Sequence, residues 1–194
     1  MRVETDVNVV AVVGDDFSDA ERRVFDGRRI DLAGLETASG KTFRWGGEYS
    51  QDLTERSTLF TELGVFETFK PAIPEHYRRS DLVFLANIDP DLQADVLGQV
   101  KPRPKLVALD TMNYWIEGTP DDLRAVLGRV DALIINDEEA RQLSGESNLV
   151  KAARAIQRRS GGALINCNAW TTVNSNFIQV RKAKMSENNG KQFI

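Results

Sequence analysis

Short continuous apolar runs alternate along the chain with stretches that place apolar residues at helical spacing. Val7–Val13 is dense in β-branched residues and stops at Gly14-Asp15-Asp16, which predicts a buried strand entering a turn. Ser18 then offers an N-cap, and residues 20–29 read as a polar surface helix with few apolar anchors. Between residues 37 and 49, Ser39-Gly40 signals a turn, and Lys41-Thr42-Phe43-Arg44-Trp45 alternates polar and apolar ahead of Gly46-Gly47. That alternation predicts a hairpin with one wet face, a flap outside the main sheet.

Residues 53–66 carry no clear pattern, but from Ile73 the rhythm is regular. It predicts a short helix over 73–79, a strand over 81–86, a helix over 90–100 with proline in its first turn, and a strand over 106–109. A helix over 120–129 behind Thr119, a strand over 132–135, a helix over 137–143 ended by Gly145, a helix over 149–159 and a strand over 162–165 follow. Apolar strands alternating with amphipathic helices predict the α/β class, a mostly parallel sheet covered on both faces with right-handed crossovers. Ligands of such sheets sit beyond the carboxyl ends of the strands. That directs attention to Gly14-Asp15-Asp16, Asn87-Ile88-Asp89, Asp110-Thr111-Met112-Asn113 and Asn136-Asp137-Glu138-Glu139. After Ile165 asparagine accumulates, at 166, 168, 174, 176, 188 and 189, and the rhythm stops. Residues 1–165 are therefore expected to form the domain, and 166–194 a disordered or foreign tail.

Charge and composition narrow the function. The 194 residues include 25 Lys plus Arg against 29 Asp plus Glu, a net charge of −4, which argues against a dedicated nucleic-acid binder. Cys167 is the only cysteine, so no intrachain disulfide and no cysteine-cluster zinc site can form, and the usage suits a reducing cytosol. His76 is the only histidine and sits in a polar helical context that reads as surface, which leaves acid–base work to carboxylates. No apolar run approaches the roughly 20 residues that span a bilayer, and the opening Met1-to-Gly14 stretch reads as a strand rather than a signal peptide. A soluble, cytoplasmic protein with no membrane partner is expected.

Neither a P-loop nor a G-x-G-x-x-G fingerprint is present. The most informative segment is ALIINDEEARQLSGE, where a strand delivers Asn136 and Glu139 follows in the first helical turn. An amide and a carboxylate at this spacing can organise hydrated Mg2+ near phosphate. The same pair also forms a capping box, Asn at the N-cap and Glu at N3, that stabilises the helix and does nothing else. Both readings stand on the spacing.

The segment resembles the N-x-x-E motif of the ribokinase-like (PfkB) carbohydrate kinase family, and VVAVVGDDF, GKTFRWGGEY, SDLVFLANIDP, VALDTMNYWIEG and INDEEARQLSG resemble that family in the same order. The resemblance runs from about residue 7 to 165. It implies a three-layer αβα sandwich with a mostly parallel sheet and a small β lid over about residues 35–50. It further implies a sugar or nucleoside under the lid, with ATP and Mg2+ beside it. The family transfers the γ-phosphoryl group to a substrate hydroxyl, chiefly by positioning and charge neutralisation.

Carried over residue by residue, Asn136 and Glu139 organise Mg2+ and phosphate, Glu139 reaching the metal through water. Asn87 either presents a polar group to the sugar or caps its loop. Asp110 and Asn113 fall in the nucleotide phosphate vicinity, although their D-x-x-N spacing departs from the D-x-N of some sugar kinases. Thr42, Arg44 and Glu48 lie on the lid hairpin, where Arg44 either reaches an anionic substrate group or is simply solvated. Phe43 and Trp45 pack the lid or a homodimer formed through it.

Two family segments have no counterpart here. The Gly-Gly stretch with its strand and substrate-binding aspartate is expected ahead of Val7, and the G-A-G-D segment with the anion hole and catalytic aspartate is expected well after the sheet. The fold is accordingly expected to be incomplete at both ends, and no residue is nominated as catalytic base. The expected function is ATP-dependent phosphoryl transfer to a sugar or nucleoside hydroxyl, with this chain alone inactive. The alternative is a non-catalytic ligand-binding or interaction fragment of a kinase fold.

Overall fold

The computed structural model describes residues 6–49, 56–161 and 164–167, which divide into two compact units. The first comprises residues up to Leu82 together with Asp91–Lys105; the second comprises Val83–Pro90 and the chain from Leu106 through the last described strand.

In the first unit, β1 (Val7–Val13) pairs in parallel with β2 (Ile30–Thr37), from Val7 opposite Ile30 to Val13 opposite Thr37, with a register shift between Asn8 and Val10. A parallel pair needs a crossover, and residues 14–29 supply it through the single turn α1 (Asp19–Arg22) and a 3-10 turn over Arg23–Phe25. Ser18 caps α1 as expected: the Glu21 carboxylate accepts from the Ser18 backbone N–H at 2.6 Å while the Ser18 hydroxyl accepts from the Glu21 N–H at 3.4 Å. The predicted helix over 20–29 shrinks to these two turns because neither buries a residue, so no apolar stripe holds a longer helix in place.

The predicted hairpin is displaced. Residues 30–37 belong to the parallel pair, and the antiparallel ribbon joins β3 (Arg44–Tyr49) to β4 (Arg56–Glu62), from Arg44 opposite Glu62 to Tyr49 opposite Arg56. A lid reading of 35–50 therefore contains one of the ribbon's strands, and the second comes from the stretch left without a pattern. Gly46-Gly47 has a packing reason. A Cβ at Gly46 would lie 2.4 Å from the Phe60 ring, and one at Gly47 would lie 2.2 Å from the Trp45 ring, so each glycine carries an aromatic ring on its backbone.

The predicted 73–79 helix is a 3-10 turn over Glu75–Tyr77 behind Pro74. The long helix α2 (Pro90–Gln99) ends in Gln99, whose amide accepts from the Ile73 N–H at 2.9 Å and donates to the Pro71 carbonyl at 2.7 Å.

The second unit matches its predicted rhythm closely. Strands β5 (Leu82–Leu85), β6 (Leu106–Asp110), β7 (Ala132–Ile135) and β8 (Leu164–Cys167) form one sheet in that order, with β6, β7 and β8 parallel. Helices α3 (Asn113–Gly118), α4 (Pro120–Leu127), α5 (Asp137–Ser144) and α6 (Leu149–Arg159) connect them. Val107, Leu109, Leu123, Val126, Leu133 and Ile156 form the core, none more than 1% exposed. Each such side chain stabilises by roughly 1.5–3 kcal/mol relative to exposure. Gly145 stops α5 in the left-handed region at φ 76°, its N–H on the Arg141 carbonyl. Asn148 caps α6 by accepting from the Lys151 N–H at 3.1 Å. Thr119 precedes α4 as expected but makes no side-chain cap. β8 runs to Cys167, past the expected end at 165, and the rest of the predicted tail lies outside the described residues.

Candidate functional site

Parallel pairing of β6 with β7 sets Asp110 opposite Ile134, so Asp110 and Asn136 leave the sheet at the same edge. Asn136 ends β7 and caps α5. Its Oδ1 accepts from the Glu139 N–H at 2.8 Å, and the Glu139 carboxylate accepts from the Asn136 N–H at 2.8 Å. Glu139 is 8% exposed. The two readings of the motif thus share one geometry: the capping box is formed, and it holds a buried carboxylate at a fixed place beside a strand end.

Asp137, Glu138 and Glu139 crowd the first turn of α5. A helix N-terminus attracts anions; Asp137 is ion-paired with Arg141, and the Glu138 and Glu139 carboxylates beside it repel phosphate unless a cation stands between them. The donor set therefore fits Mg2+ held through water more readily than bare phosphate. Among the described residues no three His, Cys, Asp or Glu side chains converge into a direct metal cage.

Burial pushes the Asp110 carboxyl above the ordinary carboxylate range, against the opposing pull of the Thr111 backbone hydrogen bond. Next to it in the chain the Thr111 hydroxyl is buried and has no hydrogen-bond partner among the described residues. A carboxyl raised in the folded state binds more protons there than in the unfolded chain. Its contribution to stability is complete below the ordinary range and is lost as pH rises through the folded value. Asp110→Asn is therefore expected to raise the urea midpoint at pH 7 and to flatten its fall between acid and neutral pH. An equal effect of the substitution at pH 3.5 and pH 7 would contradict this.

Two further sequence-predicted groups, Asn87 and Asn113, are tied to α3, a helix not foreseen. The Asn87 carboxamide oxygen accepts from the Trp115 indole N–H at 3.0 Å, so Asn87 acts here as a loop clamp. Asn113 donates to Gln142 at 2.8 Å, and Gln142 donates in turn to Glu117. Asn113, Glu117, Glu138, Arg141, Gln142 and Ser147 line a shallow, open cleft of about 530 Å3. A six-residue helix falls below the length at which periodicity shows, and only Gly118-Thr119-Pro120 behind it signalled an end.

Arg44 belongs to the first unit, exposed at the start of β3 opposite Glu62. The Gly14-Asp15-Asp16 strand end is occupied internally. Asp16 accepts from both the backbone N–H and the hydroxyl of Thr42 at 2.7 Å, which holds its carboxyl below the ordinary range. Asp15 accepts from the Gly40 N–H at 3.0 Å, and the Gly14 N–H donates to the Thr42 hydroxyl at 2.9 Å. His76 is exposed, with Nε2 3.2 Å from Asp31.

No family model matches the chain. A cytidine kinase of Thermococcus kodakarensis is 26% identical over 154 residues, 77% of this chain and 54% of the relative, so the chain spans about half the length of that curated relative. A putative ribokinase II from E. coli superposes with a TM-score of 0.71 in its apo form at 13% identity, over 95% of this chain and 65% of its own. The same protein in complex with ATP and Mg2+ gives 0.69. A PfkB protein from Polaromonas superposes with a TM-score of 0.65 at 17% identity, over 85% of this chain and 61% of its own. With its parallel strands, covering helices and antiparallel ribbon, the chain has the ribokinase-like α/β fold shared by these PfkB and ribokinase neighbours.

Proposed function

We propose that these residues belong to an ATP-dependent kinase that transfers the γ-phosphoryl group to a hydroxyl of a sugar or nucleoside. The observation that carries this reading is the Asn136–Glu139 box at the carboxyl end of β7, which fixes a buried carboxylate in an acidic first turn where Arg141 pairs with Asp137 and a further cation would offset Glu138 and Glu139. The cytidine kinase relative and the neighbour solved with ATP and Mg2+ support the same chemistry. Mg2+, when bound, supplies charge neutralisation of the phosphates. Glu139 would hold a water of that ion and Asn136 keeps Glu139 in place. Asp110 and Asn113 flank the nucleotide; Asn87, when released from Trp115, is the acceptor-binding group of the second unit, and Arg44 that of the first. The β3–β4 ribbon is the lid, and Trp45 on it and Phe43 just before it, both partly exposed, pack the lid or a homodimer formed through it.

No Gly-Ala-Gly-Asp segment occurs among the 194 residues, so no side chain here is assigned as base. Turnover by this chain alone is expected to be absent, since catalytic acid–base groups and oxyanion donors are each worth several kcal/mol. A second reading, nucleotide binding without phosphoryl transfer, is favoured by the internal engagement of Asn87, Asn113 and Asn136.

Calorimetry with Mg2+-ATP tests the site. Glutamine is as good as glutamate at N3 of a capping box, so Glu139→Gln preserves the helix start and removes the charge. Its affinity is expected to fall about tenfold to a hundredfold, as for other groups that act on a metal through an intermediary. Asn136→Ala is expected to weaken binding similarly and to lose about 1 kcal/mol of stability with its cap. A folded parent that ignores Mg2+-ATP, or a Glu139→Gln chain that binds as the parent does, would overturn the assignment. Phosphotransfer above a no-enzyme control would overturn the expected inactivity.

A further inference from the structure

We infer that the helical layer of the second unit holds a binding site for a small carboxylate with an apolar body. A cleft of about 190 Å3 opens among α3, α4, α5 and α6, lined by Ile116, Arg124, Leu127, Leu143, Ile156 and Arg159. Ile116, Leu127 and Ile156 are nearly inaccessible, at 8%, 4% and 1% exposure, and form an apolar floor. Two arginines and no acidic residue line the cleft, and one of the arginines, Arg124, is ion-paired with Asp121.

Both arginines are anchored. Arg124 donates to Asp121 at 2.6 Å, and Arg159 donates to the Leu143 carbonyl at 3.1 Å. A guanidinium presents five donors in a fork that matches a carboxylate, and these bonds each commit one of them while restraining the head. Gln142 also reaches the cleft, but its amide is engaged with Asn113 and Glu117. Over the apolar floor, away from the arginines, water would find few partners, and an apolar group that displaces it gains affinity. The volume equals about six waters at liquid density, which fits a branched chain of five or six carbons with its carboxylate at the arginines. Apolar walls with a few placed polar groups are the general character of ligand sites.

This inference stands apart from the nucleotide reading and is tested without ATP. Methyl-detected NMR of the whole chain is titrated with 4-methylpentanoate and, separately, with neutral 4-methylpentanamide. Saturable shifts of the Ile116, Leu127 and Ile156 methyls at millimolar acid are expected, with the amide at least tenfold weaker. An Arg124→Gln, Arg159→Gln double variant is expected to lose the same factor. Equal titration by acid and amide, shifts that do not saturate, or shifts centred elsewhere would each overturn the site. The acid–amide comparison on the unaltered chain decides the matter even if the double variant does not fold.

Discussion

Replacing Leu133 by alanine is expected to lower the unfolding free energy by about 2–5 kcal/mol, the range of buried leucine truncations. Leu133 is 0% exposed at the middle of β7, and its Cα is in register with Leu109 on one side and Ile165 on the other. Its register partner Leu109 is equally inaccessible, and Leu123, Val126 and Ile156 of the same unit are at most 1% exposed, so the core to which Leu133 belongs is closely packed. A rigid shell collapses little into a cavity, which places the change toward the costly end. Against a total stability of about 5–15 kcal/mol for a domain, it is large. Urea denaturation reads it as a midpoint shift at unchanged slope. A loss under about 1 kcal/mol would show that the sheet is not packed on its helices as described. Because β7 delivers Asn136, the same variant is also expected to weaken Mg2+-ATP binding.

The second unit was legible because its strands are short apolar runs that need no partner to be recognised, although Leu82 and Phe84 of β5 are exposed rather than buried. Ala132–Ile135 and Leu149–Arg159 fall where apolar density and helical spacing place them. Caps were legible for the same reason: Ser18 with Glu21, and Asn136 with Glu139, act across three residues. What escaped depends on contacts distant in sequence. β2 was hidden because Ala33-Gly34 interrupts its alternation and its partner is β1, reached through a crossover. The Asn87–Trp115 and Asn113–Gln142 bonds join residues 28 and 29 apart, on a helix too short to announce itself. The candidate site was thus readable where its chemistry is local, at Asn136 and Glu139. Asp110 was readable as a strand-end carboxylate, but its burial and that of the Thr111 hydroxyl were not.

The second large effect separates two glycines of the first unit. A Cβ on Gly14 would lie 2.3 Å from the Gly40 carbonyl oxygen, 2.5 Å from the Thr42 nitrogen and 2.6 Å from the Lys41 carbonyl carbon. All three are backbone atoms, so no rotamer change relieves the overlap. Relief requires moving the 40–42 loop, which would break the Gly14–Thr42 bond and strain the Asp15–Gly40 and Asp16–Thr42 bonds beside it. Gly14→Ala is therefore expected to destabilise by about 3 kcal/mol, the upper end of overpacking. Gly98 lies inside α2 with nothing within 4 Å of its added Cβ, and Gly98→Ala is expected to stabilise by about 0.5–1 kcal/mol through helix propensity. The same chemical change thus moves the urea midpoint in opposite directions. A neutral Gly14→Ala would mean that the loop does not close on the end of β1, and would reopen Gly14-Asp15-Asp16 as a ligand-facing strand end. The expected loss would instead establish that these carboxylates serve to anchor the loop leading into Arg44 and the ribbon, leaving Asn136, Glu139 and Asp110 as the strand-end groups available for chemistry.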